Sequence, residues 1–424
     1  MKLSLFGRFA MALVASLALG LGMTACGGGT IAYMWVIGSQ YNQIAGFKVD
    51  DYTGNLTQIV GAPFVTHGTN PVSIVVKPGG RYVFVLNQGT STSSSTRDPN
   101  SGISVYSVGG DGTLTFQAPY QSTGYVPQWL QLDSTGSYLY VLDKYSPSYI
   151  APNTPGYPSV GGFVGPNTDG LGAITVFAID SSTGRLSLVT NAQTQLNNVN
   201  TPMFEVGTGP FMMKTIGGCV FTLDNNNTVF PYSISSSGQL ALPNGAINGG
   251  YPIQGAGTLT SINGGGSYVF ITDSGTDSVR EFTVGSGCAL TPPAGGGVTS
   301  NAPGLNPQYS FIDASSKYLY VLNQSTTVVN PVQPYSSITA YVINSANSQL
   351  QVVTGSPFTV GSNPVCMVED PTSQYMYISN RNDGTVTGKQ FDSTTGILSQ
   401  LSRGSTFPSV GTGGCLGLSG SVDN

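Results

Sequence analysis

The hexapeptide YVFVLN at 82–87 returns as YLYVLD at 138–143, YVFITD at 268–273, YLYVLN at 318–323 and YMYISN at 375–380. CVFTLD at 219–224 and YMWVIG at 33–38 are looser copies, which makes seven along the chain. Self-similarity at a period of tens of residues decides the architecture before any single residue is weighed. Around each copy the grammar repeats. An apolar run opens with proline (Pro71-Val72-Ser73-Ile74-Val75-Val76), a glycine turn follows, and then comes the hexapeptide. After a variable loop an alternating segment (Ile103-Ser104-Val105-Tyr106-Ser107-Val108) leads through a second glycine turn to a short segment, Thr113-Leu114-Thr115-Phe116. β-Branched and aromatic residues fill these four runs, and Gly, Asp, Asn and Ser separate them, so each unit reads as four consecutive short strands. No stretch after residue 30 keeps a 3.6-residue apolar period, so helix is nearly absent.

Seven four-stranded units of about 50 residues predict an all-β fold, a seven-bladed β-propeller spanning 31–424, which solves the exposed-edge problem radially. The first unit begins at Ile31 with a strand of the second type and has no inner strand before it. Gly413-Gly414-Cys415-Leu416-Gly417-Leu418, after the seventh unit, reads as an isolated inner strand. The C-terminal strand is therefore expected in blade one, closing the ring. Closure sets Cys366 and Cys415 at one level of adjacent inner strands, where a bridge competes with two buried thiols. Cys219, at a turn between first and second strands, and Cys288, at a turn between third and fourth strands of the next blade, form a second possible pair.

Residues 1–25 stand outside the fold. Lys2 and Arg8 precede an apolar run from Phe9 to Met23, too short for a membrane span, which reads as a secretory signal. Met23-Thr24-Ala25-Cys26 resembles a bacterial lipobox, so Cys26 would become a lipidated N-terminus on a short linker, 26–30; ordinary cleavage, with Cys26 lost or free, is the competing reading. Gly27 after the cysteine resembles an outer-membrane sorting signal. Loss of Lys2 and Arg8 leaves 12 basic against 19 acidic residues, a net charge of −7. With 8% charged residues and no basic stripe, nucleic acid is excluded as a partner.

Chemistry is sparse in the pattern. Asp143, Asp224 and Asp273 end three successive hexapeptides, but Asn87, Asn323 and Asn380 hold the same slot, and the second strands diverge from the hub. These acids therefore read as loop caps and not as a metal ring. His67, the single histidine, sits in an ordinary connector, Thr66-His67-Gly68-Thr69, and is a candidate base; Glu205, in the separate long connector 190–209, is a second candidate. No nucleophile elbow, zinc cluster or phosphate-cradling loop occurs, so no cofactor and no metal is expected. Loop length says more. Loops 88–101, 144–171 and 324–336 and the connector 190–209 all fall on one face, which marks it as the working face. Tyr145, Tyr149, Tyr157 and Phe163 in the blade-three loop and Tyr335 in the blade-six loop are candidate contacts for a carbohydrate or an envelope protein, or else cap the channel.

The repeated Tyr-hydrophobic-x-Asn/Asp ending, the Gly-Ala-Pro-Phe64 and Gly-Ser-Pro-Phe358 connectors and the Thr-Gly-x-Leu turns resemble the bacterial YVTN-repeat propellers, which stand close to the seven-bladed lactonase-like family. That resemblance implies a central cleft carrying histidine, arginine and acidic groups. The inner strands of this chain offer only Lys214 and Glu369 as ionisable residues, so no catalytic residue carries over. The sequence thus predicts an envelope-anchored binding or scaffold propeller, held to the membrane by its lipid. The alternative is a lactonase-like hydrolase of the 6-phosphogluconolactonase type.

Overall fold

A computed structural model describes residues 29–92, 97–150, 162–166, 170–196, 199–242, 250–302, 304–324 and 336–420. Seven antiparallel sheets stand in a ring, and in each the order from hub to rim follows the chain. Blade two is the plainest: Pro71–Val76, Tyr82–Asn87, Gly102–Val108 and Leu114–Tyr120. The inner strands of blades three to seven are Tyr125–Leu132, Met212–Ile216, Leu259–Gly265, Pro307–Ile312 and Pro364–Glu369. Each inner strand lies against the next. The circuit is completed by Gly413–Leu418, which pairs with Thr30–Gly38 and supplies the inner strand of blade one. The ring is closed by its own tail.

Most blades carry a fifth element that the sequence reading did not separate. After its short outer strand the chain turns back, and a few residues pair with the opposite end of the third strand. Phe64–Val65 does so on Gln43–Asp50, and Phe358–Thr359 on Ser337–Ile343. The Ala-Pro-Phe and Ser-Pro-Phe connectors are these segments, and cis peptides precede Pro63 and Pro357. Blade two lacks the break, and its outer strand runs on to Tyr120.

The abundance of tyrosine has a mechanical reason. The first residue of the hexapeptide reaches across to the next blade and donates its hydroxyl to a carbonyl in the turn between third and fourth strands. Tyr33 bonds Gly110 at 2.6 Å, Tyr82 bonds Ser182, Tyr138 bonds Ser236 at 3.2 Å and Tyr318 bonds Thr394 at 2.6 Å. The third residue does the same one level deeper: Tyr140 to Gly238, Tyr320 to Gly396, and Tyr377 to Gly54 across the closure. The turn glycines are needed twice over. Gly54 and Gly396 have positive φ, and a Cβ on either would strike the ring of Tyr375 or Tyr318. One motif therefore builds the strand and fastens it to its neighbour.

Both cysteine pairs are bridged. Cys366 and Cys415 tie blades seven and one at the hub, with Cα atoms 5.0 Å apart, and Cys219–Cys288 ties blades four and five, with Cα atoms 5.8 Å apart.

Candidate functional site

Inner strands start at the long-loop face, so proline at their head marks the channel mouth on that side. The residue before that proline is left-handed in blades two, three, six and seven (Asn70, Val126, Asn306, Asn363), and a glycine stands three residues before the proline in each. That glycine is there because the polar residue ending the second strand fills its Cβ space: Asn87 against Gly68, Asp143 against Gly124, Asn323 against Gly304, Asn380 against Gly361. The polar residue then clasps a hydroxyl on the third strand. Asn87 bonds Ser104 at 3.1 Å, Thr175 bonds Asp143 at 3.2 Å, Asn323 bonds Thr339 at 2.9 Å and Asn380 bonds Thr387 at 2.9 Å. The Gly-x-x-Pro spacing and the hydroxyl at a fixed place in the third strand were both readable in the sequence.

The three aspartates of this slot are separate local clasps. Asp143 is fully buried and accepts from the Ser122 hydroxyl at 2.6 Å and the Gly124 N–H at 3.1 Å, yet burial still pushes its carboxyl up to about 7. Asp224 caps its own turn by accepting from the N–H groups of Asn226 and Thr228, and burial raises it also. Burial works against ionised Asp273 too, but the Gly257 and Thr258 N–H groups and the Arg280 guanidinium overcome it and hold the group at about 2. No group of three or more His, Cys, Asp or Glu side chains placed to hold a metal occurs among the described residues.

Asp143→Asn follows as a test, since asparagine is what three sister blades use. The amide oxygen keeps the Gly124 bond and the amide nitrogen faces the Ser122 hydroxyl. A carboxyl raised in the folded state takes up protons on folding. The parent is therefore expected to lose stability as pH rises from about 4 to 7, the unfolded value being about 3.9. Denaturant melts at pH 4 and pH 8 should show the variant more stable than the parent at pH 8 by roughly 1–3 kcal/mol, a buried charge having been removed. A parent with pH-independent stability over that range would refute this.

The first weak candidates do not meet. His67 is exposed, has φ +53°, and stacks on Phe116 of the outer strand of blade two with ring centroids 3.9 Å apart. Glu205 lies in Phe204–Thr208, paired to the third strand of blade three, and accepts from the Ser146 hydroxyl at 2.9 Å. They stand in different blades, well outside the hub. Tyr145 faces Tyr125 across the strand pair at the head of blade three, with the Lys144 ammonium 5.4 Å from its ring centroid. Tyr149 and Phe163 are opposite one another in the hairpin Pro147–Ile150 with Gly162–Pro166. Tyr157, Tyr335 and Cys26 lie outside the described residues.

The channel itself is narrow. Trp129, Met212, Tyr309, Phe311 and Val368 crowd a cavity of about 60 Å³, alongside Gln131, Asn263 and Lys214. Such a space holds a few waters and no sugar ring. Glu369 stands at the far end, accepting from the Ala314 N–H at 2.7 Å; burial raises its carboxyl. The mouth on the long-loop side is polar. The residue after the clasp reaches the head of the next inner strand: the Gln88 amide donates to the Pro127 carbonyl at 3.4 Å and Gln324 to Pro364 at 2.7 Å. Lys144 and Arg381 hold this position in blades three and seven. Arg381 touches solvent, and the protein around it draws its guanidinium below the usual arginine value. The arrangement is a rim of amides with two cationic positions, above a plugged hub.

A seven-bladed ring of this topology defines the class. A sequence model of the lactonase, seven-bladed β-propeller family matches residues 29–150 and 306–416, more than half of the chain, and the protein belongs to that family. Among solved structures, it is similar to a putative 6-phosphogluconolactonase from Bacteroides fragilis (15% identity, TM-score 0.63, 92% of this chain and 98% of that one). It is also similar to the Pseudomonas aeruginosa periplasmic gluconolactonase PpgL (16% identity, TM-score 0.63, 91% and 99%). A protein from Lactobacillus plantarum superposes with a TM-score of 0.66 at 14% identity, covering 92% and 99%. Among curated proteins, none matches.

Proposed function

We propose that the protein is a lactonase-type hydrolase that opens a sugar lactone docked over the channel mouth on the long-loop face. The family it belongs to supports the reaction class, as do the gluconolactonase names carried by two of its structural relatives. The observation that carries the location is the polar rim. Gln88 and Gln324 offer amides to the hydroxyls of a lactone, and Arg381 offers a cation to its carbonyl oxygen. Charge develops on that oxygen when water attacks, so a cation beside it stabilises the transition state more than the ground state.

Hydrolysis of glucono-lactone and its 6-phosphate by protein lacking residues 1–26, with and without a divalent cation, tests the reading. Turnover above the buffer rate is expected, falling about 10²-fold in Arg381→Gln, the size typical of losing one donor to a developing oxyanion. A rate equal to buffer with every lactone and metal sinks it.

The second reading is a non-catalytic binding propeller acting through the same face. It is favoured by the small size, about 60 Å³, of the cavity among the inner strands and by the separation of His67 from Glu205. Envelope anchoring through acylated Cys26 completes either proposal. It is tested by the mass of the mature N-terminus and by partition into detergent, which Cys26→Ala is expected to abolish. Glycan-array binding without turnover would favour the second reading over the first.

A further inference from the structure

Between most neighbouring blades an apolar side chain closes the outer flank. Where the chain leaves the outer strand, Ile59, Val189, Val353 and Leu401 turn inward in blades one, three, six and seven. Each packs by the hexapeptide tyrosine of its own blade: Ile59 beside Tyr33 and the Gly112 turn of blade two, Leu401 in one cluster with Tyr375, Val353 with Tyr318, Val189 with Tyr138. Blade two departs from the pattern. Its outer strand stays paired through Tyr120, the extra residue at the register shift is Gln117, and the next inward position is Ala118, opposite Val105. Nothing fills the plug's place.

What remains is a cavity of about 370 Å³ on the flank between blades two and three. Its walls are Tyr82, Tyr120 and Val105, and its rim is Ser107, Gln117 and Arg185. That volume falls in the range of small-molecule pockets, which pair apolar walls with a few convergent polar groups. No acidic residue lines it. Asp180, in the same turn as Arg185, spends its carboxylate on Ser182 and Thr183, and these bonds draw its pKa below the usual carboxylate range. The Arg185 guanidinium has no ion pair or hydrogen bond to another described residue.

We infer that this flank pocket binds a monosaccharide bearing one carboxylate, a sugar acid of the hexuronate class. Tyr120 supplies a face for the C–H side of a pyranose ring over a floor that includes buried Tyr82, Gln117 and Ser107 meet ring hydroxyls, and the Arg185 fork takes the carboxylate, the anion whose geometry it matches best. The site lies on the rim of the ring, away from the channel mouth, so it stands or falls separately from the proposed hydrolysis.

The test is calorimetric titration of the full chain with glucuronate and with glucose. Glucuronate is expected to bind at least tenfold more tightly, and Arg185→Gln, an exposed change, should bring it to the glucose level. Ala118→Leu restores the missing plug. It should abolish binding of both sugars, raise the melting temperature, and leave lactone turnover where it was. Equal affinity for the two sugars, or glucuronate binding unchanged in either variant, overturns the proposal. If Ala118→Leu does not fold, Arg185→Glu takes its place, with loss of glucuronate binding at an unaltered melting temperature as the expected result.

Discussion

Removal of residues 413–424 is expected to abolish cooperative folding. Gly413–Leu418 gives blade one its only inner strand, with Met34 opposite Leu418, Trp35 opposite Gly417 and Val36 opposite Leu416. Met34, Trp35 and Val36 are wholly buried in the intact ring. Fully exposing such side chains costs about 1.5–3 kcal/mol each. Three of them together approach the 5–15 kcal/mol that holds an ordinary domain folded. The deletion also strips the backbone partners of the second strand and orphans Cys366. A control separates these losses. Cys366→Ala with Cys415→Ala removes only the bridge, and a cost of roughly 2–4 kcal/mol with a sharp melt is expected. Far-UV circular dichroism and calorimetry check both variants. A truncated protein with a cooperative transition within a few degrees of the parent would mean that the tail is an accessory and that blade one stands without it.

Repeat period, blade number and ring closure were legible because each is written in contiguous residues. A glycine turn, a strand and a lone C-terminal apolar run need no partner to be recognised. Closure put Cys366 and Cys415 at one level of adjacent strands and left a bridge open against two buried thiols; the structure bridges them. What escaped depends on contacts between blades. The hydroxyl of Tyr377 ends on Gly54, 323 positions away, and no local pattern announces that partner. Sequence shows His67 as a lone histidine in an ordinary connector; in the fold its ring lies flat on Phe116 and belongs to the packing between blades one and two. The mouth was hidden for a similar reason. Arg381 and Gln88 lie nearly three hundred residues apart, and only the ring makes them equivalent positions on one rim. The unplugged flank of blade two stands out only against the plugs of the other blades, which lie far from it along the chain.

The clasp of blade five is an ion pair where its sister blades use an amide and a hydroxyl. Asp273 occupies the slot that asparagine holds in blades two, six and seven, and Arg280 stands where Ser104, Thr339 and Thr387 stand. The result is the one ion pair among the described residues, 2.8 Å long, with the carboxylate fully buried and the guanidinium nearly so. Arg280 also donates to the Gln254 and Gly255 carbonyls. Arg280→Thr leaves a buried carboxylate without its cation, which is expected to cost about 3–5 kcal/mol at pH 7. Adding Asp273→Asn rebuilds the neutral clasp of the sister blades and should recover most of that loss, so the two changes are strongly non-additive. The pH dependence gives a second reading of the same pair. In the parent Asp273 is depressed to about 2, so its contribution is present above the unfolded value of about 3.9 and fades as pH falls toward 2. In Arg280→Thr burial acts unopposed by the cation and the folded carboxyl titrates higher, so the variant gains on its parent as pH falls from 7 to 4. Urea melts of the parent, Arg280→Thr, Asp273→Asn and the double variant at these two pH values decide the matter. A double variant no more stable than Arg280→Thr would show that Arg280 acts chiefly through the Gln254 and Gly255 carbonyls, and that blade five is held by a different device from its sisters.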